Sequence, residues 1–413
     1  MDCGREASVR GIRWGSALLL VCLVGCGSDP TSAGIPDGVA GGDAQPAESA
    51  LPTPTLVPTF IHLEADGSGD YASLDEAVRA APMGSVITLG PGTFYLSHRL
   101  NVLKSLQLTG AGMDQTEVVS TADGYVIRFS GTGPFVVEDV TFRHAGENIA
   151  DVVVVRGGTF SAVRCRFAGA FVGDGIQDRA GLWVYGETAG EIRDCVASGN
   201  GNVGIYVSGV AQPELVGNEC SNNDDVGIVY WGAVGGTARQ NTCSGSLVGI
   251  TVAKDARPTL EENVCVDNQL VGIVYAQDGG GTASGNECAR NDIGILVMGK
   301  AGPTLEGNTC VDNTTAGIGY SGEAAGMASN NQCLRNESGI WVSGQARPAL
   351  AHNVCSENTY AGISYGQTAG GTATGNVCVG NGRYGILLEV TSNPSLASND
   401  CRDNGFMDID YVD

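Results

Sequence analysis

Basic residues are scarce in this 413-residue chain, which has 22 Lys and Arg against 45 Asp and Glu and a formal net charge of −23 at pH 7. Such a charge argues against nucleic acid as a partner and against docking on anionic lipid headgroups. Histidine is rarer still, with four residues, and the H-E-x-x-H, P-loop, G-x-S-x-G and zinc-spaced Cys/His motifs are missing. The sequence therefore gives no support to a zinc peptidase, a P-loop nucleotide hydrolase or a serine hydrolase.

The sequence also lacks the patterns of two common repeat folds. It has no L-x-x-L-x-L run, which a leucine-rich repeat needs, and no 3.6-residue apolar periodicity, which helical repeats need. What recurs from Gly204 onward is a Gly-Ile pair and a cysteine, each at intervals of 22 or 23 residues. The nine cysteines of this series are Cys220, Cys243, Cys265, Cys288, Cys310, Cys333, Cys355, Cys378 and Cys401.

Each repeat contains short alternating runs separated by Gly, Asn and Asp, a pattern typical of brief strands joined by tight turns. At about 4.8 Å between stacked strands, nine coils make a rod about 43 Å long. The segment Gly157-Gly158-Thr159 precedes Cys165 by the interval that separates Gly370-Gly371-Thr372 from Cys378, which predicts that the series begins before Gly204. The sequence thus predicts a solenoid of coils that bury their apolar faces against one another.

Asparagine lies two residues before every cysteine of the series, and three residues after it in eight of nine repeats. Stacked amides can hydrogen-bond along a rod, and Asn tolerates turn geometry, so we expect two structural Asn columns. A tyrosine alternates with Val or Leu after the Gly-Ile pair, which predicts large and small side chains in alternate coils. For the cysteines, a column of buried thiols is the main interpretation; disulfides in an oxidising compartment and a metal site remain alternatives.

The repeat Asn-x-Cys-x-x-Asn followed by Gly-Ile resembles the right-handed parallel β-helix of the pectin-lyase-like superfamily. The run Asp66-Gly67-Ser68-Gly69-Asp70-Tyr71 and the segments at 80–94 and 106–112 resemble the amino-terminal cap of pectin methylesterases and related enzymes. The resemblance implies an all-β, single-stranded right-handed parallel β-helix of 22–23 residues per coil. The motif Ser73-Leu74-Asp75-Glu76 predicts a short capping helix at its start.

The amino terminus reads as an export signal, because Arg5, Arg10 and Arg13 precede an apolar run from Ala17 to Val24 that is too short to span a membrane. The following Leu23-Val24-Gly25-Cys26 resembles the bacterial lipobox, which implies that Cys26 is lipidated; an ordinary secretory signal is the alternative. The predicted organisation is a lipoprotein signal peptide at 1–25, a flexible Pro-rich tether at 26–59, an amino-terminal cap at 60–84, irregular coils at 85–203, regular coils at 204–407 and an acidic carboxyl-terminal edge cap at 408–413.

The catalytic motifs of β-helix methylesterases, polygalacturonases and alginate epimerases are all missing, so no catalytic residue is assigned. The irregular coils between 141 and 193 nevertheless carry carboxylates that could act in general acid–base chemistry or hold Ca²⁺, the one cofactor considered. The weak catalytic candidates are His144, Glu147, Asp174, Asp178 and Arg179, and the weak calcium candidates are Asp151, Asp174 and Asp178.

A binding surface is predicted from the residue that follows each Gly-Ile pair or its equivalent, because alternation along a strand points it away from the core. This outward column is largely apolar and includes Trp183, Tyr206 and Trp341, whose rings could stack on sugars. Flanking loops that cover these rings, or isolated surface residues, are the alternatives. The favoured function is non-catalytic binding of a polysaccharide or envelope protein by an exported, membrane-anchored lipoprotein. A polysaccharide lyase or hydrolase with its site in coils 141–193 is the second interpretation, and a structural spacer the third.

Overall fold

Three parallel β-sheets run along the described chain, which comprises residues 57–173 and 179–412 of this computed structural model. From the second strand onward each coil contributes one strand to each sheet in turn, and every strand before the last described coil pairs with its equivalent one coil later. The predicted all-β, right-handed parallel β-helix is confirmed. The predicted signal peptide, Cys26, most of the tether, Asp174, Asp178 and Asp413 lie outside the described residues.

The strands are short and match the alternating runs of the sequence. Sheet A consists of Phe60–Leu63, Ser85–Leu89, Leu106–Thr109, Pro134–Glu138, Thr159–Val163, Ala189–Arg193, Gln212–Val216, Thr237–Arg239, Thr259–Glu261, Thr282–Ser284, Thr304–Glu306, Met327–Ser329, Ala349–Ala351, Gly370–Thr374 and Asn393–Ala397. Sheet B consists of Gly92–Leu96, Thr116–Ser120, Thr141–His144, Arg166–Ala168, Val196–Ser198, Glu219–Ser221, Thr242–Ser244, Val264–Val266, Glu287–Ala289, Thr309–Val311, Gln332–Leu334, Val354–Ser356, Val377–Val379 and Asp400–Arg402. Sheet C consists of Leu100–Val102, Gly124–Phe129, Ala150–Arg156, Ala180–Tyr185, Val203–Gly209, Val226–Gly232, Val248–Ala253, Val271–Ala276, Ile293–Val297, Ala316–Tyr320, Ser338–Val342, Ala361–Tyr365, Tyr384–Glu389 and Met407–Val412.

A short helix, Leu74–Ala80, follows the first strand at the amino-terminal end of the rod. As predicted, Ser73 caps it, because the Ser73 hydroxyl accepts a hydrogen bond from the backbone N–H of Glu76 at 3.3 Å. Leu74 and Val78 are buried in the main core, so the helix covers the first coil. Within the described residues, no helix is long and apolar enough to cross a membrane.

Two columns of asparagine amides hold the coils in register, as the sequence predicts. In one column, Asn241 donates through Nδ2 to the Leu215 carbonyl and to Asn263 Oδ1, each at 2.9 Å. Its own Oδ1 accepts from the backbone N and from Nδ2 of Asn218, each at 2.9 Å. All four hydrogen-bonding sites of this buried amide are therefore used, and the pattern repeats down to Asn399.

The core keeps a constant volume because large and small residues are exchanged within each coil. In one coil Tyr275 of sheet C faces a core that also contains Ala283 of sheet A; in the preceding coil the same columns hold Val252 and Leu260. This pairing continues along the regular coils, with Tyr always matched by Ala and Val by Leu. The sequence predicts the alternation of Tyr and Val in sheet C. The strand register shows in addition that Ala and Leu of sheet A alternate in the opposite sense and so compensate for the change in side-chain volume.

The thiol column lies in sheet B, where Cys243 pairs with Cys220 and Cys265. All eleven described cysteines are free, and only Cys401 is partly exposed. Coils do precede Gly204, as the sequence predicts, but Cys165 does not lie in the thiol column: Phe167 and Ala197 precede Cys220 in the register. Cys165 and Cys195 instead precede the asparagine column, and the Cys195 backbone N–H donates to Asn218 Oδ1 at 3.0 Å. The run Gly157-Gly158-Thr159 of this early coil therefore lies two residues away from the register position that Gly370-Gly371-Thr372 takes in the regular coils.

The amide columns predict a sharp contrast between two adjacent residues. Asn331→Ala removes a buried amide with all of its hydrogen bonds and leaves neighbouring polar groups unpaired, so we expect a loss of about 3 kcal/mol in unfolding free energy. Asn330 is exposed at φ 56°, and equivalent turns carry glycine, so Asn330→Gly should change stability by less than about 0.5 kcal/mol. Chemical denaturation measures both; equal losses would contradict the proposed importance of the buried amides.

The constant-volume core predicts a compensating pair of substitutions. Tyr275→Val opens a cavity and Ala283→Leu overfills the coil, and each alone should cost about 2 to 4 kcal/mol. Together they reproduce the Val and Leu combination of the neighbouring coils, so the double variant should recover at least about half of the summed loss. A double-mutant cycle by chemical denaturation tests this, and additive losses would show that the two columns do not share volume.

The buried tyrosines predict destabilisation in alkali. The hydroxyls of Tyr230, Tyr275, Tyr320 and Tyr365 have no hydrogen-bond partner among the described residues, and burial raises the pKa of each above its usual range. Above about pH 10 only the unfolded chain releases these protons, so stability present below pH 10 is lost as the pH rises, by about 1.4 kcal/mol per pH unit for each tyrosine. Replacement of all four by Phe should flatten the stability profile between pH 10 and 12; an unchanged slope would assign the loss to other groups.

Candidate functional site

The outer face of sheet C carries a second apolar cluster, separate from the core. Tyr206, Val229 and Val274 of the predicted outward column belong to it, and Trp183 and Trp341 pack against it. The predicted outward direction therefore holds, but the column is far less exposed than a free strip: Tyr206 is 9% and Val229 0% exposed. One reason is that stacked rungs bring equivalent side chains into van der Waals contact.

Aromatic rings on this face are fixed by one another. Trp183 stacks on Tyr206 of the next coil at 5.9 Å between ring centroids and on Tyr185 of its own strand at 4.7 Å. Its indole N–H donates to the Ser208 hydroxyl at 2.8 Å. Because the rings stack on each other, less of their faces remains for a sugar than the sequence predicts, and a ligand would meet ring edges and the neighbouring side chains.

The structure adds a feature that the sequence analysis missed, a set of cations held against these aromatic rings. The guanidinium carbons of Arg128 and Arg99 lie 4.1 and 5.4 Å from the Tyr125 ring centroid, and that of Arg156 lies 5.9 Å from Tyr185. On the carboxyl-terminal side, the Lys254 ammonium lies 4.7 Å from Trp231. We call Tyr125, Arg128, Arg156, Trp183, Tyr185, Tyr206, Trp231 and Lys254 the aromatic–basic face.

The residues of the aromatic–basic face lie in two neighbouring columns of sheet C or directly beside these columns. Arg128 pairs with Val154 and Val154 with Trp183, so Arg128 continues the column of Trp183 and Tyr206. Arg156 pairs with Tyr185 in the next column, which leads to Trp231. Among the described residues, no ion pair involves Arg99, Arg128, Arg156 or Lys254. By contrast, Arg290 and Arg335 each form a bidentate ion pair with an aspartate. The face therefore presents unneutralised positive charge over about 24 Å, or five coil spacings.

The carboxylate candidates of the irregular coils do not gather into one site within the described residues. Asp151 is buried, accepts a hydrogen bond from the Ala180 backbone N–H at 2.8 Å and lies 3.3 Å from Arg179. These contacts of Asp151 hold the chain in place where the next strand of sheet C begins. His144 lies in sheet B, buried, with no hydrogen-bond partner among the described residues, and burial lowers the pKa of its imidazole. Glu147 is exposed on the loop that follows.

A shallow cleft of about 420 Å³ lies over sheet B, partly within the coils predicted for the enzyme alternative. Its charged residues are paired: Arg143 binds Glu117 through two hydrogen bonds, and Arg166 lies 2.9 Å from Asp114. Both carboxylates of the cleft are therefore held in ion pairs with arginines. Across the described ranges, no group of three or more His, Cys, Asp or Glu side chains is arranged to hold a metal ion.

The right-handed β-helix family model, described as a right handed beta helix region, matches residues 150–291 and 271–404. These matches cover more than half of the chain. The chain belongs to the right-handed β-helix family. No curated protein matches its sequence.

Several solved structures share the fold of this right-handed β-helix protein. A periplasmic alginate epimerase, AlgG, is 12% identical with a TM-score of 0.51, over 82% of this chain and 83% of AlgG. The A-module of the Azotobacter vinelandii mannuronan C-5 epimerase AlgE4 is 19% identical, with a TM-score of 0.41 over 82% and 91% of the two chains. The Dettilon tailspike protein is 14% identical, with a TM-score of 0.47 over 85% and 68%. At these identities the likeness concerns the fold alone.

Proposed function

We propose that this protein is an exported, lipid-anchored receptor that binds an acidic polysaccharide along the aromatic–basic face without turning it over. The observation that carries the proposal is a set of cations that lie on aromatic rings and form no ion pair within the described residues, in a chain whose net charge is −23. A cation held against a ring keeps its charge available to a ligand carboxylate, while the ring fixes its position. Uronic acid chains offer both carboxylates and apolar sugar faces.

The charge distribution favours an anionic ligand over a neutral one. A strongly acidic protein repels a polyanion over most of its surface, so binding requires a local positive patch. Arg128 and Arg156 supply it on consecutive coils, and Lys254 extends it beyond the stacked rings. Arg128 and Arg156 lie one coil spacing, about 4.8 Å, apart along the rod, and Lys254 lies four spacings further, a span that an extended chain laid along the rod can cover.

The lipid anchor and export are part of the proposal and rest on the amino-terminal sequence. Arg5, Arg10 and Arg13, the apolar run and the lipobox-like Leu23 to Cys26 support it, and the Pro-rich tether would hold the rod away from the membrane. An incorporated lipid precursor that depends on Cys26 would support the anchor. Equal labelling of a Cys26→Ala variant would overturn it without bearing on the polysaccharide.

A polysaccharide lyase or hydrolase remains the second candidate function, and the cleft over sheet B favours it, because it lies in coils 141–193 in part. The fold is also that of an alginate epimerase with a TM-score above 0.5. Against turnover, Asp114 and Glu117 are each held by an arginine, whereas glycoside hydrolysis needs a pair of carboxylates free to act as acid and base.

The proposal predicts which arginines matter for binding. Arg128→Gln with Arg156→Gln should weaken the binding of a soluble polyuronate by about tenfold, because two unneutralised charges are lost from the face. The matched control is Arg290→Gln with Arg335→Gln, which removes the same charge from exposed arginines already paired with aspartates. That control should change the dissociation constant by less than about twofold.

Isothermal titration calorimetry of the full chain with polygalacturonate, alginate and neutral dextran measures these effects. Polyuronate binding that depends on the face, with no dextran binding, supports the proposal. The proposal would be overturned if both double variants weakened polyuronate binding equally, or if the parent protein bound dextran as tightly as polyuronate. Appearance of unsaturated uronides or new reducing ends during the titration would favour the enzyme instead.

A further inference from the structure

The outer side of sheet C is buried to a degree that the other two sheets do not share. In one coil, all six positions of Val271–Ala276 in sheet C are buried. The strands of the same coil in sheets A and B, Thr259–Glu261 and Val264–Val266, are buried only at their central, inward-facing residue. Because the coils stack at the same spacing in all three sheets, stacking alone does not account for the extra burial in sheet C.

The buried outer surface is continuous and apolar. Its buried members run from Ala180 to Ala316 and include Val229, Val274 and Leu296, which are 0%, 1% and 2% exposed. We call this cluster the apolar face. Within the described residues, it draws on sheet C and the turns beside it, and on no element from elsewhere in the rod. Its two ends lie six coil spacings apart, so the apolar face is about 29 Å long.

We propose that the apolar face is covered by residues 26–56 of the predicted Pro-rich tether, which lie outside the described residues. The other parts of the chain outside them fit the face less well. Residues 1–25 are the predicted signal peptide, which export removes in the proposed function. Residues 174–178 span at most about 17 Å, less than the length of the face, and Asp413 is a single residue.

The tether is long enough to lie along the whole apolar face. The described chain begins at Val57, next to the first strand of sheet A, Phe60–Leu63. Ala316 lies ten coil spacings further along the rod, or about 48 Å. A Pro-rich segment with the length of residues 26–56 spans about 96 Å at 3.1 Å per residue. The remaining length lets the tether pass around the rod from sheet A to sheet C.

The composition of the tether matches the surface that it would cover. Pro-rich segments dock on aromatic-lined surfaces in the extended polyproline II conformation, and residues 26–56 contain five prolines. They also contain four acids and no Lys or Arg, whereas Lys254, which lies 4.7 Å from Trp231, forms no ion pair within the described residues. The apolar side chains available for docking are Ile35, Val39, Leu51 and Leu56.

Tryptophan fluorescence tests this contact, because Trp183, Trp231 and Trp341 belong to the apolar face or pack against it. The fourth tryptophan, Trp14, is replaced by Phe in every protein. The apolar variant of the full chain combines four substitutions in the tether, Ile35→Ser, Val39→Ser, Leu51→Ser and Leu56→Ser. Loss of these side chains removes most of the apolar area that the tether can bury, so the acrylamide quenching constant should rise by at least about twofold.

The matched control makes four serine substitutions at alanines of the same tether, Ala33→Ser, Ala40→Ser, Ala44→Ser and Ala50→Ser. Because alanine presents little apolar area, its quenching constant should stay within about 20% of the parent value. Circular dichroism verifies that each rod is folded. Equal quenching of the parent and the apolar variant would overturn the proposal. A parent quenching constant that falls as the protein concentration rises from about 1 to 100 μM would also overturn it, because a second copy would then be the cover.

Docking of the tether also predicts competition with the ligand, a consequence that rests on the proposed function. Tyr206 and Trp231 belong to both the apolar face and the aromatic–basic face. The apolar variant should therefore bind polyuronate at least about threefold more tightly than the parent, since no tether has to leave first, and the alanine control should not. Equal polyuronate affinity of the apolar variant and the parent would overturn docking over these two rings. If no protein of the set binds polyuronate, the proposed function fails, and the quenching measurement still decides whether the tether docks.

Discussion

Hydrogen bonding between buried amides of successive coils is the constraint on which the rest of the rod depends. Each interior Asn donates to a carbonyl of the preceding coil and to the amide oxygen of the Asn in the next coil, so a coil shifted by one residue would orphan a donor and an acceptor at every contact. Such a penalty recurs at both Asn columns. Register along the rod is thereby fixed more strictly than apolar packing alone would fix it, because apolar side chains tolerate displacement and buried amides do not.

Fixed register allows the interior to be filled by exchange of volume between sheets. A tyrosine in sheet C is accommodated because the sheet A position of the same coil is alanine, as with Tyr320 and Ala328, and the next coil reverses sizes with Val342 and Leu350. The cost is that the Tyr hydroxyl has no hydrogen-bond partner in the part of the chain that the structure describes. Its retention in four alternate coils therefore needs a reason other than hydrogen bonding, and ring volume is the one that the structure supplies.

The regular coils could be predicted from sequence because their spacing is constant: once Cys220 and Cys243 are aligned, every facing residue down to Cys401 follows. The irregular coils could not, since nothing in the spacing of Cys165 shows that it is two positions out of step. The cation site at Arg156 was missed for the same reason. Arg156 and Tyr185 meet across an interval of 29 residues, longer than the repeat, and such a pair appears only when the register is known. Likewise Asp151, named from the sequence as a weak calcium candidate, is buried and forms an ion pair with Arg179.

The placement of charge follows from the same geometry. In a stacked rod every side chain has a neighbour about 4.8 Å above and below, so a column of like charges is costly and a column of alternating charges is not. Asp267, Arg290, Asp312 and Arg335 follow that alternation at one corner. Arg128 and Arg156 do not, because they lie against aromatic rings instead of carboxylates. The corner thus neutralises its charge internally, whereas the arginines of the aromatic–basic face form no ion pair within the described residues. The proposed binding of an anionic ligand rests on this difference.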